Sequence, residues 1–568
     1  PPPHGAATGS PIAETPVTFA RPSRLSSSTT SALAQKLLDG RDASDAEAEH
    51  VHSDRVFYNT LKVCEVDFFI SHVWQAPRWQ KVLAILYYVN CERACCFSFA
   101  AWAVGAAALF CQSGFAGHGG QTNKLVLYLL AFPLSVFFIA FFTAHSCRLG
   151  RAAPTAWFDK VCIHQSRKNL KKIGVAALPE FVANSKRMLI LQSQTYFERL
   201  WCNMEVATFC ALSGTDKIDF VPLWFPPWML LTIVLNAACL LWGFQWQWLV
   251  PAWGDIVMEH CGPDSPLTLY MTLIFGCGAF TFISLAPVAC LSYWAMRKRL
   301  KERLSVAKQM SEFRLEHAKC SEENDREIVE LHVSRVFQEH PHLGLAAENA
   351  DASDSEDGLD AQCPIARFNR YINSEFQEEV EAKLGSITSM PYKTALLTVL
   401  PMHFGWLVNV LSCDGMGCSL AAEAEGFPNT ASYMLSNAFA WILCNVLVAP
   451  TLYPAALRIL SCISALGTAD RVSYKILKFV IGMLFTAGWY FLDGMLFGFL
   501  QAAMSQAVIE PQPMHALAAA VAVTLYIIPG VYLFELYPTD FVADILGSRR
   551  LRRRRSSLAT TDFDPSGL

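Results

Sequence analysis

The stretch Val66-Asp67-Phe68-Phe69-Ile70-Ser71-His72-Val73-Trp74 is an apolar run that passes directly into a polar loop. A run of this length and composition predicts a buried β-strand. Residues 79–90 follow with the apolar spacing of a helix, and the alternation resumes from Trp157-Phe158-Asp159-Lys160 onward. Strands that alternate with helices favour a parallel sheet, whose ligands lie beyond the carboxyl ends of its strands. The later segments predict a helix at 178–185, a strand at 187–191, a helix at 196–212 and a strand at 218–223.

Long apolar runs dominate the rest of the chain. Of its 568 residues, 53% are hydrophobic and 17% are charged, and the mean hydropathy is +0.28. This composition is too apolar for one soluble globule, and the length exceeds that of one domain. A helix needs about 20 apolar residues to cross about 30 Å of hydrocarbon. About eight runs predict such spans, at 94–112, 125–146, 224–245, 267–294, 392–412, 432–456, 477–501 and 515–537.

Basic residues collect on one side of this predicted topology. The loops that follow the first, third, fifth and seventh spans contain a single basic residue, Lys124, whereas the opposite side carries the clusters 297–301 and 549–555. Because Lys and Arg near span ends stay on the cytoplasmic face, both termini and the large loops are expected in the cytoplasm. Cys413 and Cys418 then face the exterior or a lumen, where they either pair or remain free thiols.

The polar segments differ in character. The N-terminal tail and the acidic stretch 348–360 cannot bury enough apolar surface to offset their ordering entropy, which predicts disorder. Residues 297–340 combine helical spacing with charges of both signs, which predicts a solvated helix or a partner-binding stalk. The predicted segments are a disordered tail at 1–55, the two parts of one α/β domain at 56–93 and 147–224, two-span hairpins at 94–146 and 224–296, a charged cytosolic loop at 297–391, a four-span region at 392–540 and a basic cytosolic tail at 541–568.

The motifs of the α/β segments occur in the order seen in Toll/interleukin-receptor (TIR) domains. The strand and Ser of residues 68–71, the Phe158-Asp159 strand end and the passage 185–191 come first. Trp201-Cys202-Asn203-Met204-Glu205-Val206 is similar to the family's Trp-Cys-x-x-Glu-Leu signature. Residues 159–165 also resemble fungal heterokaryon-incompatibility domains. The resemblance covers about residues 60–224. It implies a cytosolic, flavodoxin-like parallel-sheet domain. Together with the apolar runs, the expected fold is a mainly α-helical multi-pass membrane protein in which two of the spans interrupt this domain.

This resemblance also implies a chemistry. Many TIR domains hydrolyse the nicotinamide–ribose bond of NAD, and the family's catalytic Glu falls on Glu205. On this hypothesis Ser71, His72, Asp159 and Trp201 bind the substrate, NAD is a substrate rather than a cofactor, and no cofactor is expected. A Glu in the first turns of a helix is also favoured by the helix dipole alone. A non-catalytic module that associates with other copies of itself is therefore the alternative.

Two ionisable residues fall inside predicted spans, Asp493 and His403. An ionisable group within the membrane is a functional candidate by default, so a channel or transporter with a regulatory cytosolic domain is a further alternative. The cysteines lack metal-ligand spacing, and no metal site is expected. The expected partners are the lipid bilayer and other copies of the chain, and no nucleic acid is expected.

Overall fold

The computed structural model describes most of the chain between residues 54 and 534. The acidic stretch 348–360 and the basic tail 541–568 lie outside the described residues, as does most of the predicted tail at 1–55. Three residues of that tail, Thr18–Ala20, form β1 and pair antiparallel with β2, Thr60–Lys62. The described ranges are 18–20, 54–113, 121–146, 154–244, 249–262, 265–320, 323–344, 363–384, 390–413, 417–464 and 472–534.

Strands from both predicted parts of the α/β domain pair in one four-stranded parallel sheet. Its order is β4-β3-β5-β6, so strands on either side of the helical hairpin pair directly. Phe69 of β3 stands opposite Trp157 of β4 and Met188 of β5. The strands are β3 (Val66–His72), β4 (Ala156–Trp157), β5 (Ser185–Gln192) and β6 (Ile218–Pro222).

Both faces of the sheet are buried. Side chains of adjacent strand residues point to opposite faces, so Met188 and Ile190 enter one core while Leu189 and Leu191 enter the other. Burial on both sides explains why these strands read as continuous apolar runs rather than as alternating ones. The helices between the strands are α1 (Arg78–Ser113), α2 (Thr122–Val126), α3 (Phe132–Thr143), α4 (Asp159–Cys162), α5 (Lys168–Ala176), α6 (Leu178–Ala183) and α7 (Leu200–Ser213).

Helix α1 covers one face of the sheet and then continues as an apolar helix. Ala84 and Tyr88 of its first turns pack on Phe68 and its neighbours. Further along, Gly105 lies against the backbone carbonyl of Tyr128, where an added Cβ would come within 2.4 Å of the oxygen. A glycine is therefore required for this close approach of the two hairpin helices. Residues 127–131 of the second helix form a π-helical segment between α2 and α3.

The other face carries a cover that the sequence did not predict. Residues 297–391 were expected to be a charged, solvated segment, but apolar residues of 306–380 join the core beneath β3 and β5. Val329, Val333 and Phe337 form a buried stripe with the 3.6-residue spacing of a helix, which the surrounding charges obscure in the sequence. The helices that follow the sheet are α8 (Phe225–Gly243), α9 (Leu249–Cys261), α10 (Pro266–Ser311), α11 (Asn324–Glu339), α12 (Pro364–Tyr371) and α13 (Gln377–Leu384). Only α10 to α13 contribute residues to this core.

The remaining helices form an apolar bundle. By length and composition, six helices in the described part of the chain suffice to cross a membrane, or seven if one bent pair counts as a single span. This indicates a membrane protein. The predicted span 392–412 is the bent pair, broken by 55°, and the predicted span 515–537 falls on an apolar helix that begins at Pro513. The bundle contains α14 (Tyr392–Thr398), α15 (Leu400–Ser412), α16 (Cys418–Ala424), α17 (Thr430–Leu443), α18 (Leu452–Ser464), α19 (Val472–Ile509) and α20 (Pro513–Phe534). These helices pack with α3, α8 and the apolar parts of α1 and α10, which also belong to the bundle.

Cys413 and Cys418, for which the sequence left pairing open, form a disulfide with an S–S distance of 2.04 Å. The bond closes the connection between α15 and α16.

Candidate functional site

Polar side chains gather at the carboxyl ends of the parallel strands. Ser71 and His72 end β3, the central strand beside β4 and β5. Asp159 begins α4, two residues after β4. Because parallel strands end at the same edge of a sheet, the fold brings these three predicted residues together. Helix α7, which follows β5, adds Glu205 to the same edge.

Glu205 is held by a chain of hydroxyl groups. Its Oε2 accepts a hydrogen bond of 2.5 Å from Ser71 Oγ, and that Oγ lies 2.5 Å from the hydroxyl oxygen of Tyr196. Ser71 has a single proton to donate, so when Glu205 is a carboxylate the Tyr196 hydroxyl donates to Ser71. Ser71 and Tyr196 are fully buried, while Glu205 keeps partial contact with solvent. The chain therefore fixes the carboxyl group while leaving it accessible.

Burial changes the ionisation of this carboxyl. It raises the pKa of Glu205 to about 8, and the charge of Asp159 acts in the same direction, while the hydrogen bond from Ser71 opposes the rise. Burial likewise raises the pKa of Asp159 above its ordinary value. Two acids with raised pKa values at one edge of a sheet are a feature of functional sites.

His72 contributes a neutral ring. Burial, together with the charges of Lys81 and Lys160, lowers the pKa of His72 to about 3. The imidazole is therefore uncharged at neutral pH, and its 3.7 Å approach to Asp159 Oδ1 is not an ion pair. The Nε2 atom of His72 has no hydrogen-bond partner within the described residues, although the side chain is buried. A buried polar atom without a partner is costly, so this nitrogen is available to a ligand.

Trp74 and Lys81 also belong to the site, although no role was predicted for either residue. The Trp74 indole N–H donates to Asp159 Oδ2, and the Lys160 backbone N–H donates to Asp159 Oδ1 at 2.6 Å. Lys81 Nζ donates to the Trp74 carbonyl at 3.1 Å. The Trp74 side chain remains 52% exposed, with the Lys160 ammonium 5.5 Å above its ring. An aromatic face with a cation beside it can stack a planar ring and attract a phosphate.

Trp201, which the sequence predicted to bind substrate, is directed elsewhere. Its indole N–H donates to Asp325 Oδ2 of α11 at 3.2 Å, and the ring packs against the core that α11 covers. The neighbouring Cys202 is buried and donates to the His72 carbonyl at 3.6 Å. In this structure Trp201 links α7 to the cover, whereas Cys202 and Glu205 of the same motif contact the strand-end residues His72 and Ser71.

The two intramembrane candidates are separate from this edge of the sheet. Asp493 is 7% exposed within α19. His403 Nε2 lies 3.2 Å from the carbonyl oxygen of Leu396, so its ring bridges the break between α14 and α15. This contact accounts for His403, because a helix break leaves carbonyl groups without their usual partners.

No group of three or more His, Cys, Asp or Glu that could hold a metal occurs in the part of the chain that the structure describes. An open groove of about 410 Å³ lies on α11 and α12, around Arg326 and Glu330, and contains none of the strand-end residues. Among known proteins, no family model, no curated protein and no solved structure matches this chain.

Proposed function

We propose that the α/β unit is a TIR-like signalling module that hydrolyses the nicotinamide–ribose bond of NAD, with Glu205 as its catalytic residue. The observation that carries this proposal is the placement of Glu205, held by Ser71 at the carboxyl end of the central strand. The resemblance of the sequence around Glu205 to the TIR signature supports the same assignment. The bundle would anchor this module in a membrane, with the α/β unit and both termini on the cytoplasmic side.

The chemistry requires a negative charge beside the ribose. As the bond between ribose C1′ and the nicotinamide nitrogen breaks, both electrons leave with the nicotinamide, and the ribose acquires oxocarbenium character. The Glu205 carboxylate would stabilise that positive charge and bind the ribose hydroxyls. Water then adds to C1′ and releases one proton, which gives ADP-ribose and free nicotinamide.

The neighbouring residues suit the remaining parts of the substrate. The unpartnered Nε2 of His72 is available to a ribose or phosphate oxygen. The exposed ring of Trp74, fixed by Asp159, offers a stacking surface for one of the two bases, and Lys160 places a positive charge beside it. Ser71 would act through Glu205, by orienting its carboxyl group.

The test is NAD turnover by the purified full-length protein, measured as release of nicotinamide. Removing one preorganised electrostatic group costs a factor of about 10²–10³ in rate, so Glu205→Gln is expected to lose about that much. The matched control is Glu180→Gln, an exposed carboxylate on α6 that should retain the wild-type rate. Wild-type protein that leaves NAD intact would overturn the proposal, and self-association by such inactive protein would favour the scaffold alternative.

The pH dependence provides a second measurement. A raised pKa means that the free enzyme holds Glu205 mostly protonated at pH 7, whereas the proposed mechanism needs the carboxylate. The value of kcat/KM should therefore rise by about tenfold per pH unit below pH 8 and level off above it. A rate that falls between pH 6 and pH 8 would contradict the assigned role of Glu205.

A further inference from the structure

The apolar bundle contains a series of polar side chains, most of them buried, which we call the polar row. It runs across the bundle from α8 to α17, and no part of it touches the strand-end site. Polar groups in an apolar bundle are expensive to bury unless they are paired, so a row of them calls for an explanation. Its central members are Asn236, Tyr453, Ser292, Tyr490, Asp493 and Gln501.

The half of the polar row nearer the α/β unit is joined by hydrogen bonds. Asn236 Nδ2 donates to the Thr398 carbonyl at 2.9 Å and lies 3.3 Å from the Tyr453 hydroxyl. Tyr453 also hydrogen-bonds to Ser292, whose Oγ lies 3.1 Å from the Tyr490 hydroxyl. These contacts connect five helices, and Asn236, Tyr453, Ser292 and Tyr490 are all buried. Hydroxyl groups both donate and accept, so such a chain can pass a proton along its length.

Asp493 lies one helical turn beyond Tyr490. It is 7% exposed, and no group in the described part of the chain donates a hydrogen bond to it or pairs with it. Within the described residues, the titratable groups that face it are the Tyr490 and Tyr526 hydroxyls and the Cys444 thiol, with the Cys277 thiol beside Cys444, and no cation is among them. The Tyr526 hydroxyl also lacks a hydrogen-bond partner within the described residues. A carboxyl group in this setting is neutral when it holds a proton and costly to bury without one.

The polar row continues toward the far end of α19. Gln501 Nε2 donates to Asn437 Oδ1 of α17 at 2.8 Å, two turns beyond Asp493. Ser505 and Gln506 are buried one turn further along. At the end of the helix His515 lies 3.8 Å from the exposed Glu510. Polar groups therefore extend from Asp493 to the end of the bundle that lies away from the α/β unit.

Two irregular stretches of backbone border the polar row. Cys444–Val448 is a π-helical segment beside Asp493, and its buried Asn445 has an Nδ2 without a partner in the described part of the chain. The 55° break between α14 and α15 lies at the opposite end, next to the Thr398 carbonyl that Asn236 binds. π-Helical segments are frequent at functional sites, and the substrate and ion sites of many transporters are formed by broken membrane helices.

We propose that Asp493 is the proton-binding centre of a proton path that crosses this bundle. Protons suit the polar row better than metal cations, because its members are hydroxyls and amides around one carboxyl group. A cation would need several oxygen ligands in place of its water, and no acidic cluster of that kind lies in the described residues. This activity is independent of NAD hydrolysis by the α/β unit.

The experiment uses purified full-length protein in liposomes that contain a pH-sensitive dye, with a potassium diffusion potential set by valinomycin. Wild-type protein should carry protons faster than protein-free vesicles. Asp493→Asn should reduce that flux at least tenfold, whereas Asp493→Glu should keep most of it. Asp255→Asn is the matched control, because Asp255 is an exposed carboxylate on α9 outside the polar row. Tyr490→Phe, which removes the hydroxyl bound to Ser292, should lower the flux severalfold.

Three results would overturn the proposal. They are a wild-type flux equal to that of protein-free vesicles, an Asp493→Asn variant as fast as wild type, and a current carried by Na⁺ or K⁺ instead of protons. Size-exclusion elution and the protease cleavage pattern establish that each variant is folded. If Asp493→Asn does not fold, the Tyr490→Phe variant decides the outcome alone, and an unchanged flux in that variant then rejects the path.

Discussion

The two faces of the sheet are covered by helices from distant parts of the chain. One face packs on the first turns of α1, and the other packs on α6, α7 and the helices from α10 to α13. Both α1 and α10 extend from the sheet into stretches apolar enough to span a membrane. Each face is therefore covered in part by a helix that continues into the bundle, so the α/β unit and the bundle are joined through α1 and α10. Three substitutions test how much each cover contributes to the stability of the α/β unit.

The largest effect on stability is expected from Phe337→Ala in the cover formed by residues 306–380. Phe337 is fully buried, and its ring centroid lies 5.1 Å from that of Phe368. Removing a buried Phe side chain leaves a cavity and costs about 3–5 kcal/mol, so the free energy of unfolding of the α/β unit should fall by that amount. Pulse proteolysis of the full-length protein in urea measures it. Leu331→Ala, on the same helix but 63% exposed, is the control and should change little. Equal stability of both variants would mean that α11 is no part of the core.

An intermediate effect is expected from Lys383→Met. The Lys383 ammonium donates to the carbonyls of Thr215, Asp216 and Ile218 at 2.7, 3.0 and 2.7 Å, which ties α13 to the start of β6. Hydrogen bonds from a charged group contribute about 1.5–3 kcal/mol, and the same proteolysis assay should detect a loss of that size. Lys308→Met removes an exposed pair at 4.0 Å and should cost little. Unchanged stability of the Lys383→Met variant would show that this end of the cover is not held against the sheet.

The smallest effect is expected on the α1 face, from Tyr88→Phe. The Tyr88 hydroxyl donates to Asp219 Oδ2 at 2.7 Å, but Arg187 binds both oxygens of the same carboxylate. Because Asp219 keeps its Arg187 contacts, losing the Tyr88 hydroxyl should cost about 1 kcal/mol. Tyr58→Phe, at a side chain that is 63% exposed, is the control. If Tyr88→Phe lost as much free energy of unfolding as Phe337→Ala, the predicted difference between the two faces would be contradicted.

The sequence predicted the α1 face better than the opposite one. The local pattern of apolar residues was sufficient to predict the strands and the first turns of α1. The strands were recognisable because burial on both faces leaves a continuous apolar run. The cover from residues 306–380 escaped prediction, since its apolar stripe is set among charges of both signs and its partners on the sheet, such as Met188 and Ile190, are distant in the chain. Only tertiary contacts of that range distinguish such a helix from a solvated one.

The sequence predicted those residues of the candidate site that lie at the ends of the strands. Ser71, His72 and Asp159 meet because parallel strands end together, and Glu205 was found through its motif. Tyr196 and Trp74 were missed because their contacts depend on how two loops fold back, which residue spacing does not encode. Trp201 was placed with the substrate by resemblance, but its indole N–H bonds to Asp325 of the unpredicted cover.

Zero-length carbodiimide cross-linking tests most directly whether three distant segments build one α/β unit. The reagent joins a lysine to a carboxylate only where the two are in contact. Lys186 Nζ lies 3.1 Å from Asp67 Oδ1, and the helical hairpin separates these two residues in the sequence. Lys319 Nζ lies 2.6 Å from Glu198 Oε2, which connects the cover to the loop before α7. Mass spectrometry of the membrane-embedded protein should find both links, and Lys186→Gln should remove only the first. Absence of the Lys186–Asp67 link in wild-type protein that forms the Lys319–Glu198 link would contradict the shared sheet.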